Sequence, residues 1–267
     1  MTRTRVRGIE MAYEVEGSGP PVLLLHGYPF NRSMWREQVE ALRKGFRVIT
    51  PDLRGLGETE AAEDEEPATM NEMAQDVAAL LDQLHIDRAV VCGLSLGGYV
   101  ALAFTRRFPL RVRALVLADT RPQPDTDDAR RGREEQARKI LAEGMSAISE
   151  ELLKKALAPA TLSERPDIVA RVREMILSTK AEGAAAALRG MAVRSDQTPF
   201  LPNILAPTLI LVGSEDQPTP PADAELMRRE IRGSRLEIIQ GAGHVSNLER
   251  PDEFNRALTQ FLHALLP

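Results

Sequence analysis

Apolar and polar residues alternate along the first part of this chain. From Thr4 to Val15 the apolar positions are Val6, Ile9, Met11, Tyr13 and Val15. A period near two marks strands with one buried face, and it predicts an N-terminal hairpin. Gly17-Ser18-Gly19-Pro20 ends it with residues suited to a turn. Short, almost wholly apolar runs follow at residues 22–25, 47–50, 89–92, 114–118, 208–212 and 236–239. Runs of this length, apolar on both faces, read as buried parallel strands. Amphipathic stretches of helical period lie between them. Residues 33–43 place Trp35, Val39 and Leu42 on one face, and residues 70–84 do the same with Met73, Val77, Leu80, Leu81 and Leu84. The last, 251–266, opens with Pro251 at a position where a helix accepts proline. Strands alternating with helices predict a parallel sheet covered on both sides.

One interval breaks this rhythm. Residues 121–206 contain no good strand and are rich in charge and alanine, with helical sequence at 128–144, 146–158, 166–179 and 182–191. A structureless loop of that length is out of keeping with a compact domain. The interval is expected to form a helical cap over the strand ends, with 1–120 and 207–267 as the α/β core; the alternative is a set of ordinary peripheral helices. The acidic run Glu63-Asp64-Glu65-Glu66 reads as a solvated loop.

Length and composition fit this picture. A chain of 267 residues suits one large α/β domain, or one with an insertion. Aromatic residues make up 4%, too few for a base-stacking platform, and 34 Lys and Arg against 39 Asp and Glu give a net charge of −5. Both features argue against a nucleic-acid partner. Cys92 is the only cysteine, so no intrachain disulfide forms, as suits a reducing cytoplasm. The charged start, Met1 to Arg7, is not followed by an apolar stretch and does not read as a signal peptide. No apolar run approaches the roughly 20 residues of a membrane span. A cytoplasmic protein without a membrane partner is expected; the sequence does not set its oligomeric state.

The chemistry centres on one turn. Ala89-Val90-Val91-Cys92-Gly93-Leu94-Ser95-Leu96-Gly97-Gly98 carries an apolar strand into Gly-x-Ser-x-Gly and on into a helix over 99–107. This context suits a nucleophile elbow. A sharp strand-to-helix turn lifts the Ser95 hydroxyl into the open, and glycines fit at its crowded flanks. The serine also stands at a helix N-terminus, which favours negative charge. A serine hydroxyl needs a base. Of the four histidines, His85 ends a helical pattern and His263 lies within the last helix. His26, in the loop after residues 22–25, reads as a brace for that loop. His244 follows the last strand in Gly241-Ala242-Gly243-His244, where an open α/β sheet places its ligands. His244 is therefore assigned as the base. The base needs a carboxylate to fix its tautomer. Asp216, after the strand at 208–212, is the first choice, with Glu215 and Asp119 as rivals. Negative charge on the reacting carbonyl needs donors. The Leu96 N–H is one candidate. The other is Tyr28 in the loop after 22–25, because Pro29 has no N–H.

With these pieces in place, the chain resembles an α/β-hydrolase of the fold-1 type throughout its length. The resemblance rests on His26-Gly27, Pro51-Asp52-Leu53-Arg54-Gly55-Leu56-Gly57, the Ser95 elbow, the turn from Gly213 to Asp216, the loop from Gly241 to His244 and the order Ser95, Asp216, His244. It is closest to the carboxylesterase and 3-oxoadipate enol-lactonase-like group. It implies a mostly parallel eight-stranded sheet flanked by helices, a helical cap after the sixth strand, and a structural turn at Asp52, Arg54 and Gly57. Haloalkane dehalogenases and epoxide hydrolases carry aspartate where Ser95 stands, and one glycine after His26 differs from the His-Gly-Gly-Gly loop of another esterase class. No metal-ligand spacing or phosphate loop appears, so no cofactor is expected. The expected partner is a small-molecule ester or lactone, acyl-homoserine and enol-lactones included. A cap rich in Leu, Met and Ala suggests an apolar acyl pocket. Perhydrolysis, carbon–carbon bond hydrolysis or cyanohydrin cleavage at the same triad, and a non-catalytic ligand receptor, are the rival readings.

Overall fold

The computed structural model describes residues 2–61 and 67–265. The acidic run Glu63-Asp64-Glu65-Glu66 lies outside the described residues. Two strands open the chain, β1 (Thr2–Val6) and β2 (Ile9–Glu16), followed by β3 (Pro21–Leu25), α1 (Arg36–Leu42), β4 (Arg47–Pro51) and α2 (Met70–Gln83). Next come β5 (Ala89–Leu94), α3 (Leu96–Arg107) and β6 (Val112–Ala118). Helices α4 (Asp127–Glu143), α5 (Ser149–Ala156), α6 (Pro159–Glu164), α7 (Pro166–Leu177) and α8 (Ala181–Ala192) precede β7 (Thr208–Gly213). The chain continues as α9 (Pro221–Glu230), β8 (Arg235–Ile239), α10 (Ser246–Glu249) and α11 (Pro251–His263).

Among the described residues the strands form one eight-stranded sheet in the order β1-β2-β4-β3-β5-β6-β7-β8. The hairpin strand β2 runs antiparallel to both β1 and β4, and all later pairings are parallel. Residues of β5 and β7 are buried throughout, as their unbroken apolar runs require. The run at 236–239 behaves differently. It forms parallel strand β8, but at the sheet edge, where Arg235 and Glu237 are exposed and Ile238 is 38% exposed. With a neighbour on one side only, the strand is not buried on both faces. Helix α3 runs behind β5 with Leu96 to Thr105 all buried. The helix read at 33–43 begins as a 3-10 turn over Arg32–Trp35 before α1, and Trp35 packs on Phe254 of α11 with ring centroids 6.1 Å apart.

Residues between β6 and β7 are helical, with no strand among the described residues there. Three contacts lay this interval against loops at the C-terminal strand ends. The His244 N–H donates to Ala156 O at 2.9 Å, the Thr179 hydroxyl donates to Pro29 O at 2.5 Å, and the Ala68 N–H donates to Ala186 O at 3.0 Å. Helices α6 and α9 lack a clear apolar period. Helix α9 buries only Ala224 and Met227, so its sequence reads as polar. No helix among the described residues is long and apolar enough to cross a membrane.

Candidate active site

Strand β5 ends at Leu94 and α3 begins at Leu96, which leaves Ser95 alone at the corner. Its backbone sits at φ 54 and ψ −114, a left-handed conformation that residues with a side chain adopt at a cost of about 1–3 kcal/mol. The packing holds it there. A Cβ on Gly93 would stand 2.1 Å from Gly97 O, and one on Gly97 would stand 2.1 Å from Leu25 O. The two glycines thus let α3 start directly against the β3 and β5 backbones. Gly97→Ala is expected to destabilise the fold by about 2–3 kcal/mol or more, because the obstructing atoms belong to a central strand. Urea unfolding beside wild type measures this; an unchanged midpoint would show that the corner has room.

The Ser95 N–H donates to Ala118 O at 3.0 Å, and the Thr120 hydroxyl donates to Ser95 O at 2.9 Å. Its own hydroxyl lies 2.8 Å from His244 Nε2. On the other side of the ring, Nδ1 is 2.9 Å from both oxygens of Asp216. Asp216 is held in turn by Thr219, whose N–H reaches Oδ1 at 2.9 Å and whose hydroxyl reaches Oδ2 at 2.7 Å. This network assigns the imidazole proton to Nδ1 and leaves Nε2 to accept from Ser95. Glu249 on α10 fixes the histidine loop by accepting the N–H groups of Gly243 at 2.7 Å and Ala158 at 2.8 Å.

Burial alone would push the His244 pKa down. The charge and hydrogen bond of Asp216, joined by the charges of Asp119 and Glu249, outweigh it and raise the pKa above its ordinary value. Of the rival acids, Glu215 is exposed. Asp119 is buried but bonds to Gly213 N–H and the Ser246 hydroxyl instead of the imidazole. His26 holds its own loop to the next: its Nδ1 bonds Gly27 O at 2.9 Å, and its Nε2 accepts the Leu53 N–H at 2.8 Å. His263 stacks on Phe46 at 5.8 Å. Asp52 accepts the N–H groups of Arg32 at 2.7 Å and Glu58 at 2.9 Å, while Arg54 forms a two-pronged pair with Asp76.

Ser95 and His244 open onto a cavity of about 750 Å³. Tyr28 lines it. Its hydroxyl is shielded and has no hydrogen-bond partner, and burial pushes the phenol pKa up. Leu96, first in α3, keeps the unpaired N–H that helix geometry leaves there. The expectation of an apolar pocket is corrected in part. Ile148, Leu152, Leu188 and Met191 line the cavity, but so do Arg121, Asp125 and Arg133. Asp125 is paired with Arg121, Arg133 and Arg194. Sequence reasoning missed this cluster and Thr219. The spacing of Thr219, three residues after Asp216, is the signal that was available for the latter.

Comparison with known proteins places the fold among hydrolases. The chain is 29% identical over 239 residues to 3-oxoadipate enol-lactonase 2 of Acinetobacter baylyi, covering 90% of this chain and 87% of that one. A thermophilic esterase from Thermogutta terrifontis superposes with a TM-score of 0.96 at 41% identity, covering 99% of each chain. The enol-lactonase from Burkholderia xenovorans does so with a TM-score of 0.91 at 31% identity, covering 98% of this chain and 100% of that one. The family model for the alpha/beta hydrolase fold matches residues 20–251, and the chain belongs to that family.

Proposed function

We propose that this protein is a serine hydrolase that cleaves carboxylic esters and lactones of small to medium acyl groups through an acyl-enzyme on Ser95. One observation carries this reading: the continuous hydrogen-bonded chain from Ser95 Oγ through His244 to Asp216, open to a cavity at the serine end. His244 Nε2 takes the proton as Ser95 attacks the carbonyl carbon, and Asp216 stabilises the imidazolium. The N–H groups of Leu96 and Tyr28 receive the oxyanion. His244 then protonates the leaving alcohol, and water releases the acyl group by the same steps. In a lactone the alcohol stays attached to the acyl group, so one site serves both bond types. In this reading residues 121–206 are a cap that shapes the acyl side of the cavity. The esterase and enol-lactonase among its relatives support the reading.

The test is a stopped-flow series with p-nitrophenyl esters of graded chain length, run beside γ-lactones and acyl-homoserine lactones, with mass analysis of quenched protein. Turnover with an acyl adduct on the peptide containing Ser95 is expected. An absence of both turnover and adduct across the whole panel would leave a ligand receptor as the better reading.

A further inference from the structure

The cavity beside Ser95 has a charged wall. Asp125, in the loop between β6 and α4, has a fully buried side chain that meets three guanidinium groups. Arg194 reaches its Oδ1 at 2.7 Å, Arg133 of α4 bonds both of its oxygens, and Arg121 stands 3.4 Å from Oδ1. Burial alone would raise the Asp125 pKa. The hydrogen bond and charge of Arg133, with those of Arg194, outweigh it and hold the pKa below its ordinary value. Asp125 is therefore a standing negative charge, and the three guanidiniums around it leave two positive charges in surplus. At the mouth of the cavity the charges balance: Lys155 pairs with Glu151 at 2.6 Å, and exposed Lys139 and Glu135 are of opposite sign.

The three arginines are not equally committed. Arg194 is buried, donates to the carbonyls of Met191 and Gln123 at 2.9 and 3.0 Å, and lies over the Tyr99 ring at 4.3 Å. With Asp125 it makes a complete structural pair. Arg133 turns its remaining terminal nitrogen to the Met191 sulfur at 3.5 Å, and a thioether is a weak acceptor. Among the described residues the Arg121 side chain meets only Asp125, and its Nε–H has no partner. Arg121 and Arg133 both line the cavity that holds Ser95 and His244. Like charges crowded into a partly enclosed space repel one another, and guanidinium donors suit a planar carboxylate. Arg121 follows Thr120, whose hydroxyl donates to Ser95 O at 2.9 Å, so the surplus charge begins one residue from a contact of the nucleophile. Ile148, Leu152 and Leu188 line the same cavity and offer a surface to a short methylene chain.

We propose that Arg121 and Arg133 form a carboxylate subsite, and that the preferred substrates are short half-esters of dicarboxylic acids. The free carboxylate sits on the two guanidiniums while the ester carbonyl at the other end of the chain meets Ser95. The proposal rests on the reading of Ser95 as the nucleophile of an ester hydrolase. The subsite touches a part of the substrate that does not react, so it holds ground state and transition state alike and its contribution appears in KM.

The experiment measures acid release in a pH-stat. Monomethyl succinate, glutarate and adipate are each paired with the methyl alkanoate of equal acyl length. In wild type, kcat/KM for the best half-ester is expected to exceed that of its neutral counterpart by about tenfold or more, through a lower KM. In Arg121→Gln and in Arg133→Gln this ratio is expected to fall by about tenfold, with the KM of the half-ester rising. Arg131→Gln makes the same change of charge at an exposed position of α4 and is expected to keep the ratio. If Arg133→Gln folds poorly, Arg121→Gln decides, since it gives up one long contact. A wild-type ratio near one, a ratio unmoved in the two cavity variants, or an equal fall in Arg131→Gln would overturn the subsite and leave the ester hydrolase standing. A wild-type protein inert towards both kinds of ester would instead remove the functional reading. Calorimetry with monomethyl glutarate beside dimethyl glutarate then decides the subsite: tighter binding of the half-ester supports it, and equal binding overturns it.

Discussion

Replacing Ser95 by glycine is expected to abolish ester turnover and to leave a more stable protein than replacing it by alanine. Both variants remove the nucleophilic oxygen, and loss of the serine of a working triad lowers kcat on the order of 10⁶-fold. Both also leave His244 Nε2 without the partner it holds at 2.8 Å. They differ in the backbone. Ser95 sits at φ 54 and ψ −114, and alanine inherits the same clash of Cβ with its own chain. Glycine has no Cβ and relieves about 1–3 kcal/mol of strain. It also has more freedom to lose on folding, which takes back about 0.5–1 kcal/mol. The glycine variant should therefore exceed the alanine variant by about 1 kcal/mol in urea unfolding. Equal stabilities would mean that the corner is not strained, and turnover within tenfold of wild type in either variant would remove Ser95 as the nucleophile. The outcome ties function to fold: the conformation that exposes the hydroxyl is one that the rest of the domain has to impose.

The central sheet and this corner are both legible in the sequence, and for one reason. Strands β5 and β7 are buried on both faces, so their sequences are apolar without interruption, and the residues that follow them stand out as breaks. Ser95 and Asp216 each occupy such a break, and His244 follows β8 in the same way. Side-chain direction is not legible. Asp119 and Asp216 both follow buried strands, and only the structure shows that the first turns to Gly213 and Ser246 while the second turns to the imidazole. The cavity wall is obscured for a related reason. Helix α4 is charged nearly all round and buries only Ala137 and Ile140, so sequence does not separate Arg133, which meets Asp125 beside the cavity, from arginines that meet solvent. At the edge of the sheet, the short apolar stretch of β8 looks like an inner strand because sequence shows residue type and not the number of neighbours.

Asp216→Asn is the second large effect, an expected fall of about 10⁴-fold in kcat with KM little changed. Both Asp216 oxygens lie 2.9 Å from His244 Nδ1, and Thr219 donates one hydrogen bond to each. An asparagine has one oxygen with which to replace two acceptors. When that oxygen keeps the Thr219 N–H, the amide nitrogen turns towards the ring and donates to Nδ1. The ring proton is then held on Nε2, against the Ser95 hydroxyl, where the lone pair for proton transfer is needed. The fold is expected to persist, since the amide matches the carboxylate in size and Thr219 remains to meet it. Under the same assay Asp119→Asn keeps the Nδ1 tautomer, because Asp119 bonds Gly213 and Ser246 and not the ring, and its loss is expected to be far smaller. The contrast between the two variants separates a carboxylate that sets the tautomer from one that braces the histidine loop through Ser246. The reverse ranking, with Asp216→Asn active and Asp119→Asn inert, would transfer the acid role to Asp119.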